Sequence, residues 1–304
     1  MNLSSLPPDL QKWLNESLDR GCSRESLEQS MRVSGYAREF ARGAVEAALQ
    51  SRPTTAGDHA AAVLQGETAA LAPVNSSELL AGQSNLIDVG DRRIQILSVL
   101  NAPRIILFGD VLSPDECDIL IEMSKGKLER SNVVNKETGR YDVHPDRTSE
   151  GTYFRRAENE LVARIEVRIA ELTSCPLDNG EPIQVLHYRP GAEYKPHFDY
   201  FNPADAGNRQ VLSMGGQRVA TLIMYLNDVE AGGSTVFPQI GLDVLPKRGN
   251  AVFFAYADEN GNLDNRTLHG GSPVGAGEKW IATKWFRQRA YVAEPGTLAN
   301  APSS

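Results

Sequence analysis

The chain has 304 residues, 41% of them hydrophobic and 23% charged, with a formal net charge of -8. That length supports one large domain with a well-buried core and a small companion. The acidic balance disfavours a nucleic-acid backbone or an anionic membrane as the main partner, so neither is expected. No basic stretch followed by an apolar one opens the chain, and no apolar run approaches the length of a membrane span. Cys22, Cys117 and Cys175 are scattered, with no CxxC pair. Reduced thiols in a cytoplasmic protein are the expectation.

Residues 1–50 carry three helical patterns separated by glycine breaks. Leu10, Trp13, Leu14 and Leu18 recur at helical spacing after Pro7-Pro8-Asp9, and Gly21 closes the run. Ser23 is a candidate N-cap for a second helix with Leu27 and Met31 on one face, stopped at Ser34-Gly35. Tyr36 to Leu49 predicts a third, with Phe40, Val45 and Ala48 inward. A small N-terminal all-α module follows, serving as a packing extension or as a unit that binds a protein partner or mediates oligomerisation. Residues 51–91 read as a linker with a short helix over 60–71, because Pro, Ser and Gly there cannot hold a core.

From residue 92 to residue 290 the pattern is that of one strand-rich domain, followed by a tail at 291–304. Arg93-Ile-Gln-Ile-Leu alternates, and Arg104-Ile-Ile-Leu-Phe108 is a continuous apolar run that fits a buried strand. Ser113-Pro-Asp-Glu116 predicts a capped helix leading into Cys117, Leu120 and Ile121. Residues 131–151 form a long polar segment with a hairpin tip at Glu137-Thr-Gly-Arg140, and loops of that length are often lids. Glu158 to Leu172 is an amphipathic helix. After Pro182 come eight short strand-like stretches: 184–188, 194–200, 218–226, 234–237, 243–245, 251–254, 267–269 and 279–286. Many short strands with Gly-rich connections predict a mainly β fold, a sandwich or jelly roll with the helices outside one sheet.

Two distant stretches carry chemistry. Tyr194-Lys-Pro-His-Phe-Asp199 offers His197 and Asp199 two residues apart, which alternation in a strand would turn to one face. His269, on a later strand and followed by Gly270-Gly271, completes two histidines and a carboxylate. That donor set suits non-haem Fe(II) oxygenases, and zinc hydrolysis is the competing chemistry. Lys279, ten residues after His269, favours the first. A lysine pointing into a jelly roll is costly to bury without an anion, and a 2-oxo dicarboxylate bound to iron would present one. Tyr188 and the Thr235 hydroxyl are placed to reach the same anion. His59, His144 and His187 read as structural or loop residues.

These motifs resemble the prolyl 4-hydroxylases among the Fe(II)/2-oxoglutarate-dependent dioxygenases. The resemblance covers residues 100–289. It rests on Ser113-x-x-Glu-Cys117, Arg147-Thr-Ser-x-Gly-Thr-x-Phe154, Gln184-Val-Leu-x-Tyr188, His197-x-Asp199, Gly215-Gly-Gln-Arg-Val-Ala-Thr221, Tyr225-Leu-Asn-Asp-Val229, Gly232-Gly-x-Thr-Val-Phe-Pro238 and His269 with Gly277-x-Lys279-Trp-x-x-x-Lys-Trp285. It implies a double-stranded β-helix (jelly-roll) core with flanking helices. It also implies that His197, Asp199 and His269 ligate Fe(II), and that Lys279, Tyr188 and Thr235 bind 2-oxoglutarate. Tyr194, Arg218, Trp285 and Glu181 would line the peptide groove or the iron's surroundings, and the 131–151 loop would close over substrate. The implied reaction hydroxylates proline in peptides or proteins with O₂ and 2-oxoglutarate, releasing succinate and CO₂, with ascorbate as reductant. The N-terminal helices lie outside the match and do not look like the peptide-binding domain of animal collagen hydroxylases. Two other readings stand beside it: hydroxylation of a free amino acid or other small molecule, and a 2-oxoglutarate-responsive binding protein with vestigial catalysis.

Overall fold

The computed structural model describes residues 6–19, 24, 27, 31, 36–51, 85–134, 141–143, 145–257 and 262–292. The chain divides into two compact units, Met1–Thr68 and Ala69–Ser304. The side chain of Trp13, most of the expected second helix, the linker helix at 60–71, His59, His144 and the hairpin tip at 137–140 lie outside the described residues.

In the first unit, α1 (Pro8–Asp19) and α2 (Arg38–Gln50) are helical. Leu10, Leu14 and Leu18 of α1 share one apolar cluster with Leu27, Met31 and Ala41, Ala44, Val45 and Ala48 of α2. The three- and four-residue spacing of these positions puts them on one stripe of each helix, which is the stripe that water leaves.

The second unit is mainly β. It begins with β1 (Leu86–Asp88), β2 (Arg93–Leu100) and β3 (Arg104–Gly109), followed by α3 (Pro114–Lys125). Next come β4 (Glu129–Arg130), β5 (Asn132–Val134), β6 (Tyr141–Val143), β7 (Glu150–Phe154) and α4 (Glu160–Thr173). β8 (Ile183–Tyr188) and β9 (Tyr194–His197) precede the short α5 (Asn208–Ser213) and β10 (Arg218–Tyr225). The remaining strands are β11 (Ala231–Gly232), β12 (Thr235–Phe237), β13 (Leu242–Val244), β14 (Ala251–Ala255), β15 (His269–Gly271), β16 (Val274–Ala276) and β17 (Lys279–Arg287).

Nine strands form the major sheet in the order β1-β2-β3-β14-β10-β17-β8-β7-β4, and four form the minor sheet, β13-β12-β15-β9. All pairings are antiparallel. The central strands are buried on both faces, so polar side chains within them, such as Gln184, Thr221 and Lys284, are buried along with the apolar ones. On one face Leu222, Met224 and Ala282 pack with Cys117 and Leu120 of α3 and Ile165, Ile169 and Leu172 of α4. On the other, Leu186, Tyr188, Ile223, Tyr225, Phe254 and Ile281 meet Phe237 and Val244 of the minor sheet. Two facing antiparallel sheets with helices outside the larger one make the jelly-roll arrangement.

The outer helices are fixed by polar contacts at their ends. Ser113 Oγ accepts the Glu116 N–H at 3.1 Å while Glu116 Oε2 accepts the Ser113 N–H at 2.9 Å, a reciprocal capping box. Buried Arg168 of α4 then donates to both Glu116 oxygens at 2.7 and 2.8 Å and to Asp91 at 2.6 Å, tying α4 to α3 and to the turn after β1.

Two elements depart from the sequence expectation. The strand expected over 194–200 ends at His197, and Asp199 sits in a bend. The strand expected at 267–269 starts only at His269; Asp264 caps a single 3₁₀ turn at Asn265–Thr267 instead, accepting the Arg266 N–H at 3.0 Å. Two- and three-residue strands such as β4, β11 and β16 gave no sequence signal, because period-two alternation needs more residues to be seen.

Candidate active site

The minor sheet brings the two histidines together. β9 and β15 are antiparallel neighbours, and His197 and His269 are directly paired, with ring centroids 4.5 Å apart. The approach of these strands requires glycine at position 270, where a Cβ would lie 2.8 Å from the Tyr194 carbonyl oxygen and 3.0 Å from the Pro196 nitrogen. Each imidazole is oriented from behind: Nδ1 of His197 donates to the Lys195 carbonyl at 2.9 Å and Nδ1 of His269 to the Thr267 carbonyl at 3.0 Å. A carbonyl can only accept, so the proton sits on Nδ1 and the Nε2 lone pair is free.

Both free nitrogens face Asp199. His197 Nε2 lies 3.4 Å from Oδ1 and His269 Nε2 lies 3.5 Å from Oδ2. The three donor atoms fall within 4.8 Å of one another, a spacing that suits a single metal ion. Burial raises the Asp199 pKa, but the adjacent imidazoles in their protonated form, and the permanent charge of Arg218, lower it by more, so the carboxyl titrates below its ordinary range and is ionised. Burial lowers His269 to about 4, so it is neutral and ligand-competent at physiological pH. Two imidazoles and one carboxylate meeting from one side is the donor chemistry that Fe(II) takes in oxygenases.

The cavity in front of these residues runs to Lys279. It is lined by Tyr188, Tyr194, Thr235, Thr283 and Trp285, by apolar Leu186, Ile223 and Ile281, and by Arg147. Lys279, paired in register with Tyr188, is only 2% exposed. Its ammonium lies 5.4 Å from the Tyr188 ring centroid, and no carboxylate among the described residues pairs with it. Burial alone lowers its pKa to about 7. A lone buried ammonium is unfavourable, so the site is built for an anion that arrives from outside. Burial also raises the Tyr188 phenol, which keeps it a protonated donor beside that ammonium.

At the cavity mouth Tyr194 stacks on His197 with centroids 3.6 Å apart. Arg147 lies 5.0 Å over the Tyr194 ring and donates to Gln184 at 3.0 Å. Trp285 lines the cavity with one ring face covered by the Arg218 guanidinium at 4.1 Å.

Glu181, expected in the peptide groove or the iron's surroundings, does not line this cavity. It is buried between two arginines, accepting from Arg218 at 2.7 and 2.8 Å and from Arg287 at 2.6 Å. Burial pushes its carboxyl up, and the arginines more than reverse this, to about 2. Arg218 does not line the cavity either; it backs Trp285 and Phe201 and reaches the Asp199 carbonyl at 3.4 Å, beside the candidate metal ligands. Glu181, just before β8, and Arg218, at the start of β10, looked available for substrate because their pairing, across 37 residues, leaves no local trace.

His187 turns away from the cavity. It stacks on Trp280 at 4.1 Å and bonds Glu278 at 2.7 Å. Sequence reasoning gave no role to Arg147, Thr221 or Thr283. Alternation along β10 held a usable signal, because Thr221 shares the inward parity of Ile223 and Tyr225.

Comparison with known proteins follows this geometry. Residues 183–287 match the model of the 2OG-Fe(II) oxygenase superfamily. Prolyl 4-hydroxylase 5 of Arabidopsis thaliana is 41% identical over 216 residues, covering 65% of this chain and 72% of that protein. The chain belongs to the prolyl 4-hydroxylase family. Prolyl 4-hydroxylase 1 of the same plant is a similar relative, 41% identical over 222 residues and covering 68% of this chain and 76% of its own length. Among solved structures, the viral collagen prolyl hydroxylase of Paramecium Bursaria Chlorella virus-1, as its 2OG complex, is 32% identical with a TM-score of 0.47. That alignment covers 60% of this chain and 95% of the viral one. As a member of this prolyl 4-hydroxylase family, the chain is an Fe(II)/2-oxoglutarate-dependent dioxygenase.

Proposed function

We propose that the protein hydroxylates proline at C4 in peptides or proteins, consuming O₂ and 2-oxoglutarate and releasing succinate and CO₂. One observation carries this reading: a His-Asp-His donor set and an unpaired buried ammonium open into the same cavity. Fe(II) bound there with 2-oxoglutarate supplies the oxidising power that converts a proline ring C–H to C–OH.

The chain's own residues do the rest. His197, Asp199 and His269 present two Nε2 lone pairs and a carboxylate. Lys279 pairs with the distal carboxylate of the co-substrate, with the Tyr188 and Thr235 hydroxyls as further donors. Leu186, Ile223 and Ile281 keep water from the volume between, which strengthens each electrostatic contact. Tyr194, Trp285 and Arg147 form the aromatic and cationic mouth against which a proline-containing segment would rest, and Arg218 supports Trp285 from behind.

Residues 1–50 are read as a small all-α module that binds a protein partner or mediates oligomerisation, supported by the shared apolar cluster of α1 and α2. Residues 51–91 would link it to the catalytic domain of residues 92–290, with 291–304 as a tail. Free, buried Cys117 and Cys175 support a reducing, cytoplasmic setting.

The test incubates the full chain with Fe(II), 2-oxoglutarate, ascorbate as reductant and a proline-rich peptide library. Succinate and a peptide 16 Da heavier per turnover (about one oxygen atom) are expected, both lost in His197→Ala. Turnover of free proline or another amino acid without any peptide product would move the reading to a small-molecule hydroxylase. Metal and 2-oxoglutarate binding without turnover of either would leave only a binding protein.

A further inference from the structure

The two histidines and the carboxylate are not held by the same means. His197 and His269 are paired across the β9–β15 ladder, so backbone hydrogen bonding fixes their positions. Asp199 lies beyond the end of β9, in a bend, and no ladder holds it. Its side chain instead meets the major sheet. Thr221 Oγ1 of β10 lies 2.6 Å from Asp199 Oδ2, shorter than any other polar contact given to that carboxylate among the described residues.

We infer that Thr221 is the residue that positions the carboxylate ligand, and that metal affinity depends on its hydroxyl. The inference rests on the metal-site reading above. An ionised carboxylate only accepts, so the single Thr221 proton points at Asp199. The Tyr256 hydroxyl, 3.3 Å from the Thr221 oxygen, does not compete for that arrangement, because its own proton goes to the Ala220 carbonyl at 3.2 Å. Thr221 is fully buried at 0% exposure and Asp199 is buried, so water does not compete for this bond. A charge-assisted bond of this length in a dry setting holds one carboxylate oxygen and fixes the rotation of the other before any metal arrives. β10 also steadies the backbone of the same residue, since Arg218 Nη1 reaches the Asp199 carbonyl at 3.4 Å.

Thr221→Val tests this with almost no change in volume, and Tyr256 keeps the Ala220 carbonyl as its acceptor. Co(II) titration of the full chain, followed by its ligand-field absorption, reads affinity without reference to turnover. Thr221→Val is expected to bind Co(II) 10–100-fold more weakly, the usual cost of losing an outer hydrogen bond to a metal ligand, and Thr221→Ser to remain within about threefold of wild type. Should Val prevent folding, Thr221→Ala, which also lacks the hydroxyl and adds no metal ligand, carries the same expectation as Val. The apparent KM for Fe(II) should rise in parallel, with kcat at saturating iron falling less. A folded Val or Ala variant with wild-type Co(II) affinity and an unaltered spectrum overturns the inference while leaving the metal site intact. Failure of wild type itself to bind Co(II) or Fe(II) overturns the metal-site reading and this inference together.

Discussion

Tyr225 Oη lies 2.8 Å from Thr235 Oγ1, deep between the two sheets. Burial raises the Tyr225 phenol well above its ordinary range, so it stays a donor. Thr235 Oγ1 is its hydrogen-bond partner, and Tyr225 therefore donates; the reverse arrangement would strand a buried O–H at about 1–3 kcal/mol. Thr235 is left with its own proton to give, and it lines the cavity with Lys279. Tyr225→Phe should raise the Kd for 2-oxoglutarate about threefold to tenfold, the worth of one oriented neutral hydrogen bond. Calorimetry in the presence of Mn(II) reads it; an unchanged Kd would show that Thr235 orients itself.

Lys279 links co-substrate binding to pH. Its ligand-free pKa is about 7, against an ordinary 10.5, and burial is the cause. Binding a dicarboxylate favours the charged form. Below pH 7 the ammonium is already present and affinity should be flat. Above it, binding must draw a proton from solvent, and affinity should fall about tenfold per pH unit until the pKa of the complex is reached. Titrations at pH 8 in buffers of different ionisation enthalpy should show uptake approaching one proton, and no uptake would remove Lys279 from the anion site.

The same residue predicts a trade between stability and function. The unfolded chain binds the Lys279 proton more readily than the ligand-free fold, so burial of this group opposes folding below pH 10.5, fully so below about 7. Lys279→Met should therefore stabilise the ligand-free protein near neutrality, on the order of 4 kcal/mol, with the gain fading as pH rises toward 10.5. It should also lose about 100-fold or more in 2-oxoglutarate affinity, since a buried charge pair has lost a partner. Denaturant melts at pH 7 and pH 10 check the first part. A destabilised variant at pH 7 would mean the ammonium has a partner in the free protein.

The strands that carry the core were legible because their chemistry is local. The apolar run at 104–108 and the strand-like stretches at 184–188 and 218–226 became β3, β8 and β10, and Ser113-Pro-Asp-Glu116 became the capping box of α3. His197 and His269 could be paired on paper, because a jelly roll returns the chain to the same sheet. Asp199 was placed near them for the wrong reason. Alternation along one strand was expected to aim it, whereas β9 stops first and a hydroxyl 22 residues away does the aiming. Alternation along β10 points Thr221 inward, but what it meets there depends on which strands face each other across the core, and a single sequence does not say.

Glu181 gives the sharpest separation between a groove residue and a structural one. It accepts from both Arg218 and Arg287, and their charges hold its carboxyl at about 2 despite burial. A depressed carboxylate pKa contributes stability that is complete above the ordinary value of 4.5 and is lost as pH falls toward about 2. Glu181→Gln keeps the shape but leaves two buried guanidiniums without their anion. It should cost about 3–5 kcal/mol at pH 7. The gap between wild type and variant should close as pH drops from 4.5 toward 2, where the wild-type carboxyl is itself protonated. Chemical denaturation across that range reads the gap directly. Were Glu181 a groove residue, the variant would keep its stability and change only the KM for peptide. Because Arg218 covers one face of Trp285, some rise in peptide KM is expected here too, but only alongside the loss of stability.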